Sequence, residues 1–253
     1  MIANAEKMDV ISNNIANINT DGYKRIDISF KDLVSESLER KGYPISKDKY
    51  GKNLSYTGTG IKTSEGVRDN TQGDLKATGQ SSDLAIDGLG YFGVTDRNND
   101  TKYIRAGKFD ADVNGTLVDS NGNKLNIDFD KGYNYNNVKL AKNNYVVKET
   151  GEIVIINGST SNKVGKIPLY NSTGDKAFIS IGENYYGLNN GSAVYKVSEA
   201  DASIKQGFTE NSNVDLGEEM AQMIITQRAF ELGSKGIKAA DDMWGMANNL
   251  RSK

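Results

Sequence analysis

The 253-residue chain contains no cysteine and no histidine, only two prolines and one tryptophan. No run approaches the roughly 18 apolar residues of a membrane span. Each absence removes a class of function. Without Cys or His there is no zinc finger or ribbon, no Ser-His-Asp or Cys-His nucleophile pair, no disulfide framework and no imidazole proton shuttle. Any chemistry would fall to carboxylates, Lys, Tyr or Ser. The 31 Lys+Arg against 33 Asp+Glu leave a net charge of −2. That balance lacks the basic stripe whose cations displace counterions from nucleic acid or anionic lipid, so neither a nucleic-acid partner nor membrane insertion is expected. The opening residues MIANAEKMDVISNN lack the basic start, apolar stretch and small-residue cleavage site of a secretory signal. A hydrophobic content of 37% is dilute for a compact globule of this length. It predicts a chain that is elongated or that completes its burial against partners.

What the chain does have is concentrated at its ends. From Val214 to Leu250 there is no Pro, and Gly appears only at Gly217, Gly233, Gly236 and Gly245 among residues rich in Glu, Met, Ala, Gln, Lys and Leu. This composition predicts a long helix. Ser212-Asn213 and Asp215 supply an N-capping cluster, and Glu218 and Glu219 sit in the first turns, where the helix dipole favours negative charge. Ile225, Ala229, Leu232, Gly236, Ala239, Met243, Met246 and Leu250 follow at alternating spacings of four and three, the repeat of a coiled-coil seam. A second row, Met223, Phe230, Ile237 and Trp244, recurs every seven residues on a face roughly 140° away. One partner helix cannot cover both rows. At the other end Met1, Ala5, Met8, Ser12 and Ile15 show the same four-three spacing, widened by Ile11 and Ile18. That stripe stops at Asn17-Ile18-Asn19-Thr20-Asp21-Gly22, where Asn and Gly favour turn geometry. The expected lengths are about 25 Å and about 55 Å, so an antiparallel pair would leave much of the longer helix unpaired.

Between the ends, Phe30, Leu33, Val34, Ser37 and Leu38 form an amphipathic stripe that predicts a short helix, and residues 45–60 read as a polar, Gly-rich loop. From Ile61 to Val197 the pattern becomes short alternating or apolar runs punctuated by Gly, Asn and Asp. Two-residue turn signals stand at Asn114-Gly115, Asn121-Gly122 and Asn157-Gly158. The fold class read from these patterns is α+β: an all-β central domain with N- and C-terminal helices. The expected domains are 1–25 with 212–253 as the terminal helical domain, 26–78 with 198–211 as a connecting region with a short helix, loop and strands, and 79–197 as the β-rich domain.

Candidate chemical motifs fare poorly. Asp110-Ala-Asp112-Val-Asn114-Gly115 matches the first half of a calcium loop, but the twelfth position is Asn121 rather than Glu and strands flank it, so it reads as a hairpin turn. Asp96-Arg-Asn98-Asn-Asp100 lacks the following glycine and reads as a solvated loop. Glu218-Glu219 and Asp241-Asp242 could be imagined as a glycosidase acid and base. Adjacent helix positions point about 100° apart, so neither pair converges on one bond, and a solvated face or helix-start charge is the better reading. Gly88-Leu-Gly90 lacks the third glycine and following helix of a dinucleotide loop and reads as a turn or bulge between strands. No catalytic, cofactor-binding or metal-ligating residue is assigned, and no cofactor is expected.

Four segments in chain order carry a resemblance. Asp9 through Lys24 (DVISNNIANINTDGYK) resembles the N-terminal signature of the bacterial flagellar rod and hook proteins. Ser212-Asn213-Val214-Asp215, Glu218-Glu219-Met220, Gln227-Arg228-Ala229-Phe230-Glu231 and Ser234-Lys235 are similar to the C-terminal signature of that family. Asp83 through Phe92 with Arg105-Ala106-Gly107-Lys108-Phe109 resembles its central β motif. Ile181-Gly182-Glu183-Asn184 is similar to a segment of the distal-rod branch, which the Gln-Arg-Ala-Phe-Glu run also favours over proximal-rod or hook-type members. The resemblance implies a fold in which the N- and C-terminal helices pair as a coiled-coil-like inner layer with the β-rich domain as the outer one. Such a subunit polymerises helically into a hollow axial tube in the flagellar basal body, with neighbouring rod and hook proteins and the flagellar export apparatus as implied partners. It also implies a further apolar stretch ahead of Met1, which would leave the N-terminal helix shortened here. The functional residues are then assembly residues: Asn13, Asn14, Asn17 and Asn19, whose amides can pair across an interface, and Met223, Ile225, Phe230, Leu232, Ile237, Met243, Trp244 and Leu250. Two rival readings are a rod-associated carboxylate wall hydrolase and a monomeric binding module built on the β domain.

Overall fold

A computed structural model describes residues 1–32, 61–141, 144–157, 160–174, 177–189 and 191–251. The chain divides into two compact units. The first comprises Met1–Ala16, Arg25–Asp69 and Asp215–Lys253; the second comprises Asn17–Lys24 and Asn70–Val214.

The first unit is built on two helices, α1 (Ile2–Ala16) and α2 (Leu216–Arg251). Asp215 starts α2 as an N-cap: its Oδ1 accepts the Glu218 N–H at 3.0 Å and its carbonyl accepts the Glu219 N–H at 3.0 Å. The helices pack against each other and run antiparallel. Asn14 near the end of α1 meets Glu219 at the start of α2, and the Met1 Cγ would lie 3.5 Å from a Cβ placed on Gly233. At 1.5 Å per residue α1 is about 22 Å long and α2 about 54 Å, so α2 runs on well past the start of α1. Among the described residues the unit also holds two short antiparallel ladders, Ile26–Asp27 on Val67–Arg68 and Phe30–Asp32 on Ile61–Thr63.

The second ladder corrects the start of the expected helix, at Phe30–Asp32. The 3.6-residue stripe begins correctly, but Phe30–Asp32 gains a strand partner far along the chain, and the Lys7 ammonium lies over the Phe30 ring at 5.6 Å from its centroid. Local periodicity carries no information about such pairing. Leu33, Val34, Ser37, Leu38 and the loop expected over 45–60 lie outside the described residues.

In the second unit the largest sheet among the described residues has nine strands. Tyr91–Thr95 is central to it, pairing antiparallel with Thr101–Ile104, Lys124–Leu125 and Leu169–Ser172. Leu84–Gly88 pairs with Ala202–Gln206, and Leu75–Ala77 with Phe208–Glu210. The hydrophobic core gathers Leu84, Ile86, Phe92, Phe109, Leu117, Leu125, Ile153, Ile167 and Ile204, with Phe92 and Phe109 edge to face at 5.5 Å. Such a pair adds about 1 kcal/mol beyond area burial. A separate aromatic cluster joins Tyr91, Tyr103 and Tyr186. Gly107 is demanded by this packing, since a Cβ there would stand 1.4 Å from the Leu84 carbonyl oxygen.

Turns form at the expected places, but Asn114 and Asn121 stand inside turns that start at Asp112 and Asp119 and close at the glycine, with only the glycine at positive φ, rather than in two-residue Asn-Gly loops. Asp112–Gly115 joins Asp110–Ala111 to Leu117–Val118, with the Gly115 N–H bonded to the Asp112 carbonyl at 2.7 Å. Asp119–Gly122 turns in the same way before Lys124, and Asp96–Asp100 is the loop between two paired strands. Glu152–Asn157 pairs with Thr160–Lys166, while Gly158 lies outside the described residues. Ile181-Gly182-Glu183-Asn184 forms a hairpin tip in which Glu183 and Asn184 both have positive φ, 51° and 62°. Its Glu183 carboxylate accepts from the Asn121 amide at 2.8 Å.

Two buried phenols give this unit an alkaline limit. Burial pushes Tyr145 up to about 12, and burial together with the neighbouring Asp119 carboxylate, 2.6 Å from its hydroxyl, raises Tyr185 further. A phenol whose folded pKa exceeds its unfolded value contributes stability that is complete below pH about 10 and is lost as pH rises through the folded value. Stability is therefore expected to fall above pH 10. Denaturant titrations between pH 9 and 12 check this, and Tyr145→Phe should flatten part of the slope.

Candidate assembly interface

Two buried carboxylates organise the segments that lead into and out of the terminal helices. In the β-rich unit Glu210 is fully buried between two cations. Arg105 Nε donates to Glu210 Oε2 at 2.5 Å, and Lys24 Nζ to Glu210 Oε1 at 2.7 Å. The Gly73 N–H adds a bond to Oε1 at 3.0 Å. Desolvating such a group costs several kcal/mol per ion unless every donor is used. Here the remaining donors find carbonyls: Arg105 reaches Gly90 at 2.5 Å and Gly88 at 2.8 Å, and Lys24 reaches Thr71 at 2.6 Å. The Gly88-Leu-Gly90 turn aims these carbonyls inward. Its glycines have φ of 115° and 121°, and a Cβ on Gly88 would meet the Asp201 carbonyl at 2.4 Å.

In the helical unit Glu219 plays the same part. Its Oε1 accepts from Arg25 Nε at 2.6 Å and its Oε2 from the Asn14 amide at 3.2 Å. Asn14 also donates to the Ile26 carbonyl at 2.8 Å and accepts the Ile26 N–H at 3.1 Å. The Glu219 carboxylate raises Arg25 above its ordinary value through their hydrogen bond. Glu219 is therefore a first-turn charge that is buried and ion-paired, which corrects the solvated-face reading for that residue. Glu218, exposed, keeps it and reaches Arg25 Nη2 at 3.2 Å.

The two apolar rows of α2 separate on this frame. At 100° per residue Met223, Thr226 and Phe230 fall on the face of Glu219, the side packed on α1, and Met223 and Phe230 are half-buried. Ile237 and Trp244 continue the same row beyond the start of α1 and are exposed, Trp244 at 73%. The other row lies on the opposite side: Ile225 is 62% exposed and Leu232 68%, with Met243 and Met246 equally open. The side chain of Leu250 lies outside the described residues. Of the asparagines, Asn14 is buried within the chain, so its amide serves the fold rather than a neighbouring copy. Asn13 is exposed and donates to the Asp9 carbonyl at 3.1 Å. Asn17 and Asn19 belong to the β-rich unit, where Asn17 Oδ1 accepts from Thr20 Oγ1 at 3.1 Å.

Sequence reasoning missed Glu210, Lys24 and Arg105 as a group, and Arg25 with Glu219. A signal existed for the second. Asn14 follows Ile11 on the apolar stripe of α1 and Glu219 heads the row of Met223 on α2, and a polar residue at a seam position calls for a partner.

Three family models match along the chain: "Flagella basal body rod protein" over residues 1–24, "Flagellar hook protein FlgE/F/G D1 domain" over 85–168, and "Flagellar basal body rod FlgEFG protein C-terminal" over 205–250. The chain is similar to the flagellar basal-body rod protein FlgG of Borreliella burgdorferi, 34% identical over 99% of this chain and 95% of that protein. It is also similar to FlgG of Bacillus subtilis, 36% identical over 97% and 93%. The chain belongs to the flagellar basal-body rod protein family. A further relative, the flagellar hook-basal body complex protein FlhP of Bacillus subtilis, is 26% identical over 97% of this chain. In this rod-family chain the Glu210 centre takes Lys24 from the first matched segment, Arg105 from the second and Glu210 from the third. The Glu219 centre joins the first to the third.

Proposed function

We propose that the chain is a structural subunit of the flagellar rod, of the distal type, that self-assembles helically into a hollow, torque-transmitting tube in the basal body. Its relatives carry the name basal-body rod protein, and membership of that family supports a structural rather than catalytic role. The observation that carries the reading is the uncovered row of α2. Ile225, Leu232, Met243 and Met246 form one apolar stripe on the side away from α1, and Ile237 and Trp244 leave a second stripe open past the start of α1. A helix stripe left in water does not offset the entropy of ordering it, so copies of the same helix are its natural cover. The terminal helices would form the inner layer and the β-rich unit the outer one. Rod and hook neighbours would abut the tube at its ends, and the flagellar export apparatus would deliver the subunit. Electron microscopy of the purified chain is the test: concentrated protein should form hollow tubes of uniform diameter, and a strictly monomeric protein at all concentrations would overturn the reading.

A further inference from the structure

All six methionines, Met1, Met8, Met220, Met223, Met243 and Met246, fall in or at the start of the two terminal helices, and the β-rich unit has none. With no cysteine in the chain, these thioethers are its most readily oxidised side chains. Their surroundings differ. Met243 and Met246 are both 60% exposed, one helical turn apart, within the row of Ile225 and Leu232. Met223 is half-buried on the face that packs on α1. Met220 is open but lies off that row, about 140° from Met243 by helical geometry.

We propose that Met243 and Met246 are a peroxide-sensitive modification site that governs whether the uncovered row of α2 can bind another copy. Each sulfur attacks one oxygen of a hydroperoxide. The O–O bond breaks and an S=O bond forms; the thioether loses two electrons, and the peroxide is reduced to water or the corresponding alcohol. Charge and atoms balance with no other reactant. The product is a polar, chiral sulfoxide in place of a flexible apolar side chain. In a seam between helices its oxygen has no donor, because Ile225, Ala229, Leu232, Gly236 and Ala239 supply only apolar side chains or none. A buried acceptor without a partner opposes association. The state is reversible, since methionine sulfoxide reductases, one for each epimer, return the thioether. Once the row is covered in a polymer the sulfurs are shielded, so the modification acts on free subunits. This coupling rests on the rod-subunit reading above.

The experiment uses the full chain, kept dilute, treated with hydrogen peroxide and quenched. Peptide mass spectrometry should find Met243 and Met246 gaining one oxygen several-fold faster than Met223. After concentration, the treated protein should pellet as tubes about tenfold less than untreated protein, and the two reductases with dithiothreitol should restore it. Met243→Leu with Met246→Leu conserves volume and should assemble with or without peroxide, whereas Met220→Leu alone should protect nothing. Equal assembly before and after oxidation overturns the proposal, as does loss of assembly in the peroxide-treated double variant or oxidation of Met223 as fast as Met243. Untreated protein that never forms tubes would instead sink the rod reading and the coupling with it, while the oxidation rates still decide the site.

Discussion

Glu210→Ala is expected to destabilise the β-rich unit by about 3–5 kcal/mol, because it leaves Arg105 and Lys24 buried with no counter-charge. The three side chains are 5%, 2% and 0% exposed, so water cannot take the place of the carboxylate. For a domain of this size each kcal/mol lowers the melting temperature by about 2–4 °C, giving a fall of about 6–20 °C in a calorimetric scan. Glu210→Gln keeps the shape but turns an amide N–H₂ toward a cation and should be nearly as harmful. The control is Asp87→Asn, which breaks an ion pair to Lys205 between side chains that are each more than a third exposed. Solvent-screened pairs contribute about 0–1 kcal/mol, so that variant should melt close to the parent. A Glu210→Ala protein melting no lower than Asp87→Asn would show that the buried centre is not a mainstay of the unit.

The second large effect separates folding from association. Trp244→Asp should leave circular dichroism and melting of the dilute chain unchanged, since the ring is exposed and past the start of α1. In a covered seam the new carboxylate would be buried without a partner, which at about 3 kcal/mol or more raises the concentration needed for tubes by about 100-fold. Leu232→Asp should behave alike. Phe230→Asp should not: that side chain is half-buried on the face packed on α1, so both the helix pair and assembly are expected to suffer. Tube formation by Trp244→Asp at the parent's concentration would remove this row from the interface.

These expectations mark where sequence was sufficient. The extent of α2, its Asp215 cap and its two apolar rows follow from spacing and composition, which act within a few residues. The turns at Asn114-Gly115 and Asn121-Gly122 were equally legible, because their conformation is set by the residues that make them. Phe30–Asp32 was not, since its strand partner begins at Ile61, and neither was the Glu210 centre. Glu210 and Lys24 stand 186 positions apart, and nothing near either of them specifies burial. Asn14 reads as an interface residue from its amide chemistry and the motif around it; its partner is visible only with Glu219, 205 positions on, in place.

That separation has a consequence for the order in which the molecule can take shape. Each unit is assembled from segments interrupted by the other, and the chain passes from one to the other after Ala16, Lys24, Asp69 and Val214. A ribosome, or any narrow channel the chain threads N-terminus first, releases α1 long before α2 exists. The Asn14 amide and the Arg25 guanidinium must then wait for almost the whole polypeptide before Glu219 arrives. Such long loop closures slow folding far more than they weaken the product. The first helix to emerge is thus held unfinished by construction, and the last stretch to leave completes it.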